Sequence, residues 1–322
     1  MVSPFQPDKK VVALAGGVGG ARFADGLSRA LPAGSLTVIV NIGDDFEHLG
    51  LKICPDLDTV CYTLAGLANP ETGWGLQEET YSAFEALKAL GGPGWFRLGD
   101  RDLATHLERT RRFGQGETVS QITGDFCQRW GVAARVLPVS DDPIPTIVLT
   151  DAGELAFQEY FVHQQCQPRV TGFRFEGVAQ ARPAPGVLEA IAAADLLVIC
   201  PSNPWVSVDP ILAVPGIRQA ITARRTDLPV VAVSPIIAGH TIKGPAAKMF
   251  AELGIHPTPA AVASHYQGLI SAIVIDQQDE TLSRQIQEMS TAVFVTDTIM
   301  RNNDQRLRLA QETLNFILQE SR

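Results

Sequence analysis

Five apolar residues, Val11-Val-Ala-Leu-Ala15, run directly into Gly16-Gly-Val-Gly-Gly20, and a helical pattern follows. That helix reads from Ala21 to Leu31, with Phe23, Leu27 and Ala30 or Leu31 on one face. Leu36-Thr-Val-Ile-Val40 is a second continuous apolar run. Strands apolar on both faces belong in a parallel sheet covered by helices. Strand, glycine turn, helix, strand is the opening of a doubly wound fold. The predicted class is therefore α/β, a Rossmann-like doubly wound and mostly parallel sheet with a helical insertion and a small antiparallel segment.

The remaining pattern fits one domain over 1–322, with Rossmann-like core segments at 10–66 and 190–276. Glu78 to Leu90, Asp100 to Arg112 and Thr118 to Trp130 read as helices, so 78–131 is a helical insertion, with Asp100 and Thr118 as N-caps. Strand signals return at Thr146 to Leu149, and Ala156 to Val178 reads as antiparallel strands, giving the segment 146–180. Parallel-type strands follow at Leu196 to Cys200, Val230 to Val233 and Ile273 to Ile275. Helices fit Val187 to Ala194, Pro215 to Arg224 and Pro245 to Leu253. The C-terminal region, 280–322, closes on a helix from Gln305 to Gln319.

Composition removes several functions. The net charge is −9, from 35 acidic and 26 basic side chains, with no Lys/Arg-rich stripe. Such a surface repels nucleic-acid phosphates, so no nucleic-acid partner is expected. Cys54, Cys61, Cys127, Cys166 and Cys200 are scattered, with no C-x-x-C pair, which speaks against a disulfide framework or a structural zinc site. Met1 to Lys10 lacks an apolar core and does not read as a signal peptide. No run of 18 apolar residues exists, so no membrane partner is expected and a reducing cytoplasm is the predicted location.

Four constellations carry chemistry. Gly17, Val18, Gly19 and Gly20 precede a helix whose N-terminus offers unpaired N–H groups, a place for phosphate or carboxylate. No Gly-Lys-Ser/Thr follows, so this is not a P-loop. Arg22 stands at the third glycine of a dinucleotide fingerprint. Asn41-Ile-Gly-Asp-Asp45 and Pro55-Asp-Leu-Asp58 bring four carboxylates into a short stretch, a set suited to Mg2+ and substrate phosphates, although Asp and Asn also serve as turn formers. Arg97-Leu-Gly-Asp-Arg-Asp102 offers guanidinium groups to a phosphate. His106, four residues after Asp102, reads as a surface ion pair. Pro201-Ser-Asn-Pro204, with Ser202 and Asn203, ends a buried strand as a substrate rim or a rigid loop. No nucleophile stands out, which suits direct transfer by positioning and charge neutralisation.

Together, Leu14 to Arg22, Asn41 to Asp45, Cys54 to Thr59, Leu98 to His106, Ser140-Asp-Asp142, Pro201 to Pro204, Val214 to Ile217 and Ser234 to Ile237 resemble the 2-phospho-L-lactate transferase family of coenzyme F420 biosynthesis. The resemblance implies a Rossmann-like fold and a homodimer. It implies a donor in which a three-carbon phospho-acid is joined to guanosine through a diphosphate. The acceptor would be the deazaflavin Fo, attacking through its side-chain hydroxyl, with GMP leaving. The acid differs within the family among phospholactate, phosphoenolpyruvate and phosphoglycerate. By the same resemblance Asp58 and Arg97 match Fo-binding positions, and Asp45 and Asp58 match carboxylates at the metal, Mg2+, and at the reacting centre. Gly17, Val18, Gly19, Gly20, Arg22, Ser202 and Asn203 would hold the donor.

Two other classes share parts of this pattern. A related family of gluconeogenesis factors, regulators that bind a nucleotide sugar, has the glycine loop and the Asp pair. It differs where Phe46-Glu47 follows Asp45 and Pro55-Asp-Leu-Asp58 is intact. An NAD(P)-dependent dehydrogenase fits the first turn but not Arg22, and offers no proton donor.

Overall fold

A computed structural model describes residues 9–320. The first eight positions of the Met1–Lys10 reading, and the last two of 280–322, lie outside the described residues.

The chain opens with β1 (Val11–Ala15), α1 (Gly17–Ala30) and β2 (Leu36–Val40). A hairpin, β3 (Phe46–His48) and β4 (Leu51–Ile53), leads into α2 (Pro55–Leu64). Next come α3 (Ser82–Ala89), α4 (Asp100–Phe113), α5 (Val119–Arg129) and β5 (Arg135–Pro138). β6 (Thr146–Thr150), β7 (Gly153–Ala156) and β8 (Val170–Phe175) form a separate antiparallel sheet. The chain then runs through α6 (Val187–Ala193), β9 (Leu196–Ile199), α7 (Asp209–Ala213), α8 (Ile217–Ala223) and β10 (Val230–Val233). It closes with α9 (Ala246–Glu252), α10 (Pro259–His265), β11 (Ala272–Asp276), α11 (Ser283–Gln287), β12 (Ala292–Thr296) and α12 (Asn303–Glu320).

Seven strands make the main sheet in the order β12-β11-β10-β9-β1-β2-β5, each pair parallel. The expected α/β class is therefore met. No residue of β1 is more than 1% exposed, as its unbroken apolar run requires. Val11 pairs with Leu36 on one side and Leu196 on the other. The winding reverses at β1: β2 and β5 extend one way, β9 to β12 the other. In an open α/β sheet a crevice forms at the carboxyl ends of the strands at such a reversal, here those of β1 and β9. α12 packs across α1 so closely that the Arg306 carbonyl oxygen occupies the space a side chain at Gly26 would need.

Local differences from the sequence reading have physical causes. α1 starts at Gly17, not Ala21, so the glycines are its first turn rather than a loop before it. The helix expected from Glu78 starts at Ser82, because Glu78 is in the left-handed region at φ +57°. Asp100 caps its neighbour instead of its own helix: its carboxylate accepts from the Ser82 and Ala83 amides of α3. Glu79 returns the favour, accepting from the Arg101 and Asp102 amides of α4. Thr118 is the expected cap of α5, with a capping box to Gln121. Within Ala156 to Val178 only β8 and the end of β7 are strands; Glu159–His163 is a π-helical turn. The outer strands β5 and β12 went unread. β5 ends in Pro138, which an edge strand tolerates. α2 and α10 each begin with a proline at the first helical position, a start signal that resembles a turn.

Candidate active site

The β1–β9 crevice opens into a cavity of about 1010 Å³. Its floor is the first turn of α1. The Gly17 amide donates to Asp56 Oδ1 at 2.6 Å, and Asn41 Nδ2 donates to Asp56 Oδ2 at 2.9 Å. The Ser202 hydroxyl donates to the Gly16 carbonyl at 2.9 Å and accepts from the Gly16 amide at 3.3 Å. These bonds pin the glycine turn to α2 on one side and to the β9 loop on the other. The Val18 and Gly19 amides take no partner among the described residues and lie on the cavity wall. Such a pair at a helix N-terminus is suited to an anion.

Close approach explains the glycines. A Cβ at Gly16 would meet Asp56 Oδ2 at 2.5 Å and Ser207 Cβ at 2.8 Å, and one at Gly19 would strike the Pro201 carbonyl oxygen. Gly20 is not on the wall; it packs beneath Ser202, whose Oγ would lie 2.6 Å from a Cβ there. Asn203 lines the cavity and caps the turn after β9 by accepting from the Trp205 amide.

Four carboxylates, Asp44, Asp56, Asp58 and Asp102, reach the wall, and Asp45 does not. Asp45 lies with Oδ2 3.8 Å from Lys52 Nζ, and burial pushes it up to about 7 despite that lysine. Asp44 Oδ1 is buried with no partner, and Oδ2 accepts only a 3.4 Å bond from Gln158. Burial first, then Asp56 and Asp45, push Asp44 well above the usual carboxylate range. Burial also pushes Asp56 up to about 6, held back by the bonds from Asn41 and Gly17. Carboxylates crowded this way favour a cation among them.

Oxygen-only donors with an unpaired buried Asp44 Oδ1 fit a hard divalent cation. Among the described residues no three His, Cys, Asp or Glu side chains are grouped to hold a metal alone. An ion here would complete its shell from substrate phosphate and water, as Mg2+ commonly does.

Helix α4 supplies Arg109, absent from the sequence reading, and gives His106 a different place from the one expected. His106 is not on the surface: it is 2% exposed and lines the cavity between Asp58 and Asp102. Arg109 lies behind the wall and grips both oxygens of Asp58, Nη1 to Oδ2 at 3.0 Å and Nη2 to Oδ1. Burial alone would lower the Arg109 pKa; the Asp58 carboxylate reverses that and raises it. Burial likewise raises Asp58, and Arg109 and His106 pull it back. The available signal was spacing: Asp102, His106 and Arg109 recur every three or four residues, one helix face.

The far end of the cavity is aromatic. Trp95 and Phe96 line it, with Phe46 and His48 packed behind, and His163 stacks on Trp95 at 5.2 Å. Phe157, just before the π-helical turn, and Phe161, within it, stack at 5.4 Å. Arg97 lines this end with its guanidinium 3.6 Å from the Tyr81 ring centre. Nearer the glycine turn, Arg22, Lys243 and Arg301 are on the wall. None of the three pairs with a carboxylate among the described residues; Lys243 donates to the carbonyls of Glu71 and Thr72. The Ser140-Asp-Asp142 motif lies outside the cavity, where Asp141 caps α5 through Ser120.

Comparison with known proteins gives the family and the fold. The family profile described as 2-phospho-L-lactate transferase CofD matches residues 11–314. A Streptomyces griseus protein named phosphoenolpyruvate transferase is 45% identical over 313 residues, 95% of this chain and 98% of that one. Proteins of the same name from Streptomyces avermitilis and Mycolicibacterium smegmatis are 46% and 42% identical, over 95% and 89% of this chain and 97% and 94% of theirs. The fold also matches a solved Bacillus halodurans protein of the UPF0052 family, with TM-score 0.63 and 17% identity over 96% of this chain and all of that one. Near-complete coverage by the profile, with relatives above 40% identity, makes this chain a member of the 2-phospho-L-lactate transferase family.

Proposed function

We propose that this protein transfers a phospho-three-carbon-acid group from a guanosine-diphosphate-linked donor to the side-chain hydroxyl of the deazaflavin Fo, releasing GMP, in coenzyme F420 biosynthesis. The observation that carries the reading is the polarity of one cavity. Among the described residues, amides without a protein partner and cations without a carboxylate partner stand at one end, where Trp74 also lines the wall. Trp95 and Phe96, with Arg97, line another, and four carboxylates share the same wall. A diphosphate suits the first end and a flat tricyclic ring the second. The names of the 41–46% identical relatives favour phosphoenolpyruvate as the acid.

In this reading the Val18 and Gly19 amides and Arg22 hold the donor phosphates. Ser202 acts indirectly, by fixing Gly16. Asn203 is on the wall beside them. Trp95 and Phe96 take the deazaflavin ring, with Arg97 at its edge. Asp58 orients the acceptor hydroxyl, whose oxygen attacks the phosphorus bearing the acid. The bond from that phosphorus to the GMP oxygen breaks, and the hydroxyl proton passes to solvent. Asp44, in place of the expected Asp45, would hold Mg2+ together with Asp58. When bound, the ion would neutralise charge on the diphosphate. A homodimer and a cytoplasmic setting complete the proposal, on the resemblance and on five cysteines that are all free thiols.

The test is incubation with Fo, Mg2+ and each of the three guanylylated acids, following GMP release and product mass. Product from the phosphoenolpyruvyl donor supports the reading. Release of GMP without an Fo adduct, or no product from any donor, refutes it.

A further inference from the structure

Asp58 sits in a ring of buried side chains shared by two helices, hydrogen-bonded at Tyr62 and Arg109 and in looser contact at His106, whose Nε2 takes no hydrogen bond. Tyr62, one turn after Asp58 on α2, donates its hydroxyl to Asp102 Oδ1 at 2.7 Å. Asp102 Oδ1 lies 3.4 Å from His106 Nε2, and His106 Nδ1 lies 3.7 Å from Asp58 Oδ2. Arg109 Nη1 is 3.1 Å from His106 Nδ1 and also binds Asp58. The ring thus leaves α2 at Tyr62, runs along one face of α4, and returns to α2 at Asp58. Four of its members line the cavity; Arg109, 3% exposed, does not.

That division of labour suggests a role. A guanidinium fork on both oxygens fixes a carboxylate in position and in plane, which a single ammonium cannot do. We propose that Arg109 and His106 are positioning residues for Asp58, setting the direction in which its free lone pairs face the acceptor hydroxyl. The claim rests on the transfer reading for its chemistry, but not for its geometry. It assigns α4 a part in turnover, although Arg109 reaches no substrate. A displaced acceptor hydroxyl lowers turnover, while at saturating Mg2+ the donor keeps the Val18 and Gly19 amides, Arg22 and the ion held by Asp44.

Arg109→Lys keeps the charge and loses the fork. With both substrates saturating it lowers kcat by about 10- to 100-fold, and with Mg2+ saturating it leaves the donor KM within twofold. His106→Gln, the second variant should the first fold poorly, shifts kcat in the same direction. The double variant Asp58→Asn, Arg109→Lys is no slower than Asp58→Asn alone, since a residue acting through Asp58 has nothing left to position. A role confined to holding the fold would lower the thermal midpoint and leave kcat of the folded protein unchanged. Arg109→Lys and His106→Gln both retaining kcat within twofold overturns the proposal, and so do multiplicative losses in the double variant. Absence of turnover in the unaltered protein sinks the transfer reading instead. The ring is then judged by Fo binding, followed through deazaflavin fluorescence: equal weakening by Asp58→Asn and Arg109→Lys upholds it, and unaltered binding by Arg109→Lys refutes it.

Discussion

Gly19→Ala is the sharpest probe of the glycine turn. An ideal Cβ on Gly19 lies inside the contact distance of the Pro201 carbonyl oxygen. That oxygen is backbone and cannot swing aside as a side chain would. Restoring ordinary contact requires α1 and the β9 loop to separate by about 1 Å. Forcing a methyl into so tight a place costs about 1–3 kcal/mol. For a chain of this size the thermal midpoint then falls by about 1.5–4.5 °C. The same movement turns the Val18 and Gly19 amides away from a phosphate they would otherwise share. Loss of one charge-assisted hydrogen bond, about 1.5–3 kcal/mol, weakens a guanosine diphosphate by about 10- to 100-fold. Titration calorimetry with GDP in Mg2+, beside a calorimetric melt, reads both effects. Binding of GDP by Gly19→Ala within twofold of the unaltered protein would show that the close approach is not what shapes the anion site.

Three further outcomes follow from the same structure. Gly124→Ala, at an exposed position inside α5 with nothing within 4 Å of the new methyl, stabilises the fold by about 0.5–1 kcal/mol; a lower midpoint would contradict the helix as described. Asp44→Asn lowers the magnesium dependence of GDP binding and leaves binding without metal unchanged, because it replaces a carboxylate of the cavity wall, one of whose oxygens is buried without a partner, by a neutral amide; an identical magnesium titration would remove Asp44 from the metal site. Burial alone would raise the Asp276 carboxyl, but bonds from Gln278 and Thr298 outweigh it and hold its pKa below the usual value. A depressed carboxylate contributes stability that is present above its unfolded pKa of about 4 and is lost as the pH falls through the folded value. Asp276→Asn is therefore destabilising at pH 7, and its penalty shrinks below about pH 4 in urea melts; a penalty that grows on acidification would reverse the sign.

The central strands and the first turn were legible because buried parallel strands are apolar throughout and glycine interrupts them at the ligand end. The family resemblance points to Asp45 at the metal, whereas Asp44 is the one of the pair on the cavity wall. Which of them faces the crevice depends on the hairpin β3–β4, whose Lys52 draws Asp45 away. Ser202 was identified for phosphate binding, but its hydroxyl is spent on Gly16, a contact 186 residues distant in the chain. His106 looked like a surface partner of Asp102, since a helix heptad does not say which side is covered. α4 turns that face toward Tyr62 and Asp58 of α2, and the pair becomes part of the wall. The aromatic end was not legible at all: Trp95, His163 and Phe161 come from an inter-helix loop and a π-helical turn, neither of which has a periodic signature.

Both substrates must share one cavity, the nucleotide at the glycine turn and the deazaflavin against Trp95 and Phe96. A crystal of the protein soaked with GDP, Mg2+ and Fo tests that directly. The account places the diphosphate on the Val18 and Gly19 amides, the deazaflavin ring on Trp95 and Phe96, and the Fo side-chain hydroxyl between them beside Asp58. Density for the ring at the glycine turn, or for the nucleotide against Trp95, would contradict it.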